Sequence, residues 1–130
     1  MSTKQILKFN KMSKQAKEAV YKMSIAFGRM GDIDGVFVAK KSHVKILIDS
    51  EMEVYFGEVL GKHSEIFGKI EKKAIKMVSD SEDVVNVIKK HELESGYNPF
   101  EYSVVNQERD DFIDLTVGEI CEILEKEMSK

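Results

Sequence analysis

MEVYFGEVLGKHSEIFGKI, residues 52–70, is the stretch on which the fold class turns. Met52, Val54 and Phe56 alternate with Glu51, Glu53 and Tyr55, the two-residue period of a strand with one buried and one wet face. Ser64 to Ile70 repeats that β-rich composition, and Leu60-Gly61-Lys62 between the runs supplies a turn in which glycine tolerates tight backbone. The reading is a hairpin. Outward from it, Val36 to Ala39, Val44 to Ile48 and Ala74 to Val78 are further short runs of β-branched and aromatic residues, with Asp49-Ser50 as another turn. The intervals are too short for crossover helices, so an antiparallel meander of four or five strands is expected rather than a parallel sheet.

Helical patterns flank the meander. From Ser13 to Met30, Ala16, Ala19, Val20, Met23, Ala26, Phe27 and Met30 recur at spacings of three and four, which predicts an amphipathic helix capped by Ser13 and stopped by Gly31. Thr3 to Met12 reads as a short helix or a loose arm. On the other side, Ser79 with Glu82 has the form of a capping box and predicts a helix to about Glu94, with Val84, Val85, Val87, Ile88 and Leu93 inward and Gly96 as its end. Pro99 then forces a turn at Tyr97-Asn98-Pro99-Phe100. Tyr102 to Val105 reads as a short extended piece. Thr116 and Glu119 form a second capping box, opening a closing helix that buries Val117, Ile120, Cys121, Leu124 and Met128. The sum is a single α+β domain over residues 1–130: a basic N-terminal helix, a meander, and two C-terminal helices.

Composition agrees with one folded unit, since 42% hydrophobic against 33% charged residues lies far from the signature of disorder. With no tryptophan, seven Met and seven Phe must supply much of the core bulk. The single Cys121 rules out an intrachain disulfide and a cysteine-based zinc cluster, and points to a reducing cytoplasm. No apolar run is long enough to span a bilayer, no secretory h-region follows the N-terminal lysines, and Ser2 with no terminal CaaX argues against lipidation.

The charges are unevenly placed. Residues 1–45 hold ten Lys/Arg against three acids, a formal +7, and residues 46–130 hold ten against twenty, a formal −10. Such polarity bears on encounter and partner choice, not on fold. On the predicted N-terminal helix, Lys14, Lys17, Lys22 and Arg29 fall off the apolar stripe and form a basic solvent face, the candidate partner-binding surface. That face suits an acidic protein, the acidic half of a second copy, or phosphates of a nucleic acid. Against the last stand the excess of lysine, the lack of a helix-turn-helix or aromatic RNA-binding pattern, and a pI of about 5.7.

A second candidate is the turn Gly61-Lys62-His63-Ser64, where a flexible backbone, a cation, a titratable donor and a hydroxyl together suit a phosphate or nucleotide, with Tyr97 and Asn98 as neighbours after folding. It is not a P-loop, because Gly57 is only four positions before Gly61 and His63 stands where Ser or Thr is required. Glu58, His63 and Glu65 offer an O,N,O set, but the chain has no zinc-site spacing, His91-Glu92 lacks the second histidine of HExxH, and the Glu108, Asp110, Asp111, Asp114 cluster lacks EF-hand spacing. No metal, no cofactor and no catalytic residue is therefore assigned. Cys121, on an apolar stripe, reads as an inert core thiol.

Val54-Tyr55-Phe56-Gly57-Glu58-Val59-Leu60-Gly61-Lys62-His63-Ser64-Glu65-Ile66, then Val78-Ser79-Asp80 and Gly96-Tyr97-Asn98-Pro99-Phe100, resembles a pattern in small bacteriophage-encoded proteins of unassigned function. The resemblance covers about residues 52–102 and carries no reaction or ligand. It implies a small accessory protein that acts in the host cytoplasm on a host or defence component by binding. The expectation from sequence is thus a non-enzymatic binding protein, with phosphate or nucleotide binding at Gly61-Lys62-His63-Ser64 and nucleic-acid binding through the basic helix as the alternatives.

Overall fold

The computed structural model describes residues 18–60, 65–105, 112 and 114–128. Two long strands, β1 (Glu18–Ala26) and β2 (Asp32–Lys40), pair antiparallel along their full length. Between them, Gly28–Met30 makes one 3-10 turn. β2 shows the two-residue period cleanly: Ile33, Gly35, Phe37 and Ala39 are buried, while Asp32, Asp34 and Lys40 are exposed. β1 also pairs with β5 (Ile75–Ser79), and β2 with the short β6 (Ser95–Gly96), giving a four-stranded sheet of order β5-β1-β2-β6. A second sheet, β4-β3-β7, is built on the expected hairpin of β3 (Glu53–Gly57) and β4 (Ile66–Lys69), with β7 (Ser103–Val104) on the other flank of β3. Three helices complete the fold: α1 (Lys41–Asp49), α2 (Glu82–Lys90) and α3 (Val117–Met128).

The α+β class and the antiparallel pairing agree with the sequence reading, but several elements differ. The predicted basic helix is, over residues 18–26, the strand β1. Ala19, Val20, Met23 and Ala26 satisfy helical spacing, yet the same residues contain the strand alternation Ala19, Tyr21, Met23, Ile25, and pairing on both edges favours the latter. Intrinsic propensity is a weak preference that such tertiary pairing overrides. The opposite substitution occurs at Val44 to Ile48, predicted as a strand and found inside α1. There Val44, Leu47 and Ile48 recur at helical spacing, and Val44, Ile46 and Leu47 are buried. Asp49-Ser50 is accordingly the end of a helix, with Ser50 N–H donating to the Ile46 carbonyl at 2.9 Å. The single meander becomes two sheets.

α2 begins at Glu82, not Ser79. Ser79 closes β5, and its hydroxyl accepts from the Ser81 N–H at 3.1 Å. Of the five residues predicted inward, only Val85 is buried, and Val84, Val87 and Leu93 are exposed. Gly96 does not stop a helix but pairs with Gly35 as part of β6. The turn after it is as expected: the Asn98 side-chain oxygen accepts from the Phe100 N–H at 3.0 Å, and Pro99 starts a 3-10 turn. The second capping box is present, with Thr116 N–H donating to Glu119 Oε1 at 2.9 Å and Glu119 N–H donating to Thr116 Oγ1 at 3.2 Å. Along α3, Val117, Ile120 and Cys121 are buried as predicted, but Leu124 is half-buried and Met128 is 72% exposed.

The inner residues of both sheets share one core with α1 and α3, among them Met23, Phe37, Leu47, Val54, Ile66 and Ile120. Val20 and Val85 are buried outside that cluster, where α2 lies against β1 and β2. Both rims of the four-stranded sheet are irregular. On β5, a register shift opposite Val20 and Tyr21 leaves Val78 as an extra residue. On β2, beyond the short pairing with β6, the Val38 N–H donates to the Glu94 carboxylate at 2.9 Å.

Candidate functional site

A concavity among the described residues lies between α1 and α3. Ser42, Lys45, Ile46 and Asp49 face it from α1 at positions i, i+3, i+4 and i+7. Ser50 closes one end, and Leu124, Glu125 and Met128 form the opposite wall. The groove has a volume of about 510 Å³, with Ile46, Leu124 and Met128 as its apolar lining, a size within the range of ligand-binding clefts.

A polar clasp holds the two walls together. Glu125 accepts from the Ser42 hydroxyl at 3.1 Å and, through its other oxygen, from His43 Nε2 at 2.8 Å. His43 is itself buried, its ring 6.3 Å from that of Phe100, and its backbone carbonyl accepts from the Cys121 thiol at 3.7 Å. The carboxylate therefore sits between hydroxyl and imidazole. A nucleophilic set needs the imidazole in the middle, where it can take the hydroxyl proton. This order instead pins α1 to α3. Burial pushes the Glu125 carboxyl upward, but the hydrogen bonds from Ser42 and His43, with the nearby charge of His43 and Lys40, outweigh it and hold the group below its ordinary value of 4.5. Burial, with the Glu125 charge adding to it, pushes the Cys121 thiol up to about 12, so it carries no thiolate reactivity.

The clasp makes a pH prediction. A depressed carboxyl in the folded state stabilises fully above its unfolded value and loses that stabilisation as pH falls through the folded one. Glu125→Gln should therefore unfold more easily than the unaltered chain at neutral pH, by about 1 kcal/mol, and the gap should close as pH drops below 4.5. Parallel thermal melts of the two proteins across that range check it. A gap that does not depend on pH contradicts it.

Of the sequence-predicted site residues, Lys22, Arg29, Tyr97 and Asn98 lie among the described residues. Lys14 and Lys17 lie outside the described residues. Lys22 is exposed in mid-β1, in register with Lys76 of β5 and Val36 of β2, and Arg29 sits in the turn beyond the strand's end, so the two share no helix face. Gly61, Lys62, His63 and Ser64 also lie outside the described residues. Tyr97 packs its ring 6.2 Å from Phe56 and 6.3 Å from Tyr102, and its N–H donates to the Asp34 carbonyl at 2.9 Å. Asn98 caps the turn that follows. Of the O,N,O set, Glu65 accepts from the Tyr55 hydroxyl across the hairpin at 3.1 Å. Among the described residues, no three His, Cys, Asp or Glu are grouped as metal ligands, and no helix is long and apolar enough to cross a membrane.

The two-signed charge distribution is in part spent inside the molecule. Lys41 of the basic first third bonds Asp80 of the acidic remainder at 2.9 Å, whereas the pair of Lys89 with Glu18 at 2.9 Å runs in the opposite sense. Sequence reasoning missed Ser42, His43 and Glu125 because the β-branched composition of 44–48 hid the helical spacing of Ser42, Lys45, Ile46 and Asp49. That spacing was the available signal. No family model, curated protein or solved structure matches the chain.

Proposed function

We propose that this chain is a non-enzymatic binding protein that associates stoichiometrically with a protein partner through the α1–α3 groove. The observation that carries the reading is the groove itself: an apolar lining between two helices that a partly buried clasp links. Preorganised concavities of this kind seat a partner's apolar anchor, and a few such anchors carry most of the binding energy. The resemblance of residues 52–102 to small phage-encoded proteins supports a host or defence component as the target. In this account the scaffold around Tyr97 and Asn98 is structural, and the basic residues Lys22 and Arg29 are peripheral.

Met128 is the test position, because at 72% exposure it can be changed without disturbing the core. A partner captured by the full chain, purified and titrated against it, should reach a one-to-one end point. Met128→Asp should weaken that complex at least about tenfold, while Lys22→Glu with Arg29→Glu leaves it intact. Equal affinity for Met128→Asp and the unaltered chain would remove the groove from the mechanism, and turnover of the partner would remove the stoichiometric reading.

A further inference from the structure

α2 buries a single residue. Val85 packs on the sheet and Ile88 is half-buried, while Val84 is 38% and Val87 50% exposed. At 3.6 residues per turn Val87 lies about 160° round the helix from Val85, and Val84, three positions earlier, stands beside Val87. The two valines therefore form a short apolar stripe turned away from the sheet. A β-branched side chain lowers helix propensity, so at these exposed positions it favours neither the helix nor the core. The charges beside the stripe are ordered by sign. Asp83 is four before Val87 and Lys90 three after it, so both border the stripe on the flank away from Ile88, the acid in the first turn and the base in the last. Lys89, by contrast, bonds Glu18 of β1 at 2.9 Å. Asp83 and Lys90 make no ion pair among the described residues.

A stripe with opposite charges at its two ends is complementary to itself when turned end for end. Laid antiparallel on a copy, α2 sets its valines against the same valines of that copy and brings Asp83 to Lys90 and Lys90 to Asp83, the reciprocal contacts of a two-fold interface. Parallel pairing would set like charge level with like. We infer that this chain forms a two-fold dimer in which α2 packs antiparallel on α2 of a second copy, with Val84 and Val87 as the seam and an Asp83–Lys90 pair closing each end. The seam is only about two turns long, so the dimer is of the weak, concentration-dependent kind. α2 covers the face of the four-stranded sheet that carries Val20, the reverse of the face that shares its core with α1 and α3. Pairing through α2 leaves the groove of each copy open, so the dimer presents two grooves. The inference does not depend on what those grooves bind.

Sedimentation of the full chain over concentrations reaching the millimolar range tests it. The unaltered chain should pass from monomer to dimer and go no further, because a two-fold contact closes on itself. Val87→Asp, which places two carboxylates in the seam, should weaken the dimer at least about tenfold while leaving the circular dichroism of the chain unchanged. Asp83→Lys and Lys90→Asp, each alone, should also weaken it, because every end contact then meets its like. An equimolar mixture of those two variants should dimerise again, since in the mixed pair each lysine faces an aspartate, and that recovery should shrink as salt rises. A chain that stays monomeric at every concentration overturns the inference, as does a dimer indifferent to Val87→Asp. A mixture that stays monomeric where the unaltered chain dimerises overturns the antiparallel pairing.

Discussion

Gly96→Ala is expected to lower the unfolding free energy by about 3 kcal/mol or more, with Gly35→Ala about 2–3 kcal/mol. The two glycines are register partners where β2 meets β6. A Cβ on Gly35 would overlap the Tyr97 carbonyl, and one on Gly96 would overlap the Asp34 carbonyl, so in each case backbone meets side chain. Gly96 carries a second cost because its φ is +69°, in the left-handed region that residues with a Cβ avoid. Gly28→Ala separates the two contributions. Its φ is +61° but nothing lies within 4 Å of the added carbon, so it should lose only the conformational part, about 1 kcal/mol. Denaturant unfolding of the three variants measures this directly. Gly96→Ala no worse than Gly28→Ala would show that β6 does not hold β2 as closely as described.

The second large effect belongs to Phe37→Ala, expected to cost about 3–5 kcal/mol. Phe37 is fully buried on the inner face of β2, stacked 6.3 Å from Tyr21 and edge-on 6.0 Å from Phe100. Phe100 in turn contacts the His43 ring, so this aromatic column runs from the four-stranded sheet to the clasp behind the groove. Removing the ring should therefore destabilise the chain and loosen the α1–α3 contact together, seen as lower thermal stability and broadened Met128 and Leu124 methyl signals. Phe67→Ala is the comparison, since Phe67 is 46% exposed on β4 and its loss should cost under about 1 kcal/mol. Similar losses for the two would contradict the placement of the core.

The features legible in the sequence are those written locally. The β3–β4 hairpin announced itself through Met52, Val54 and Phe56. The capping box of Thr116 and Glu119 and the turn at Asn98-Pro99 were equally plain, because their partners lie within three residues. β1 and α1 were exchanged because each is nine residues long and fits both periods. What decides between those periods is pairing with β5 for one and packing on α3 for the other, and neither is visible along the chain. The candidate site inherited that error. Ser42 and Glu125 stand 83 residues apart, and their meeting depends on α1 being helical. The charge asymmetry was visible but ambiguous, since one of its cations, Lys41, is taken up by Asp80.

The Glu94 carboxylate over the Val38 N–H and the extra residue at Val78 have a joint consequence for how copies of this chain behave when concentrated. An incoming strand meets an anion already holding a donor on one flank and a broken hydrogen-bond ladder on the other, so edge-to-edge templating and fibril growth are resisted at both margins.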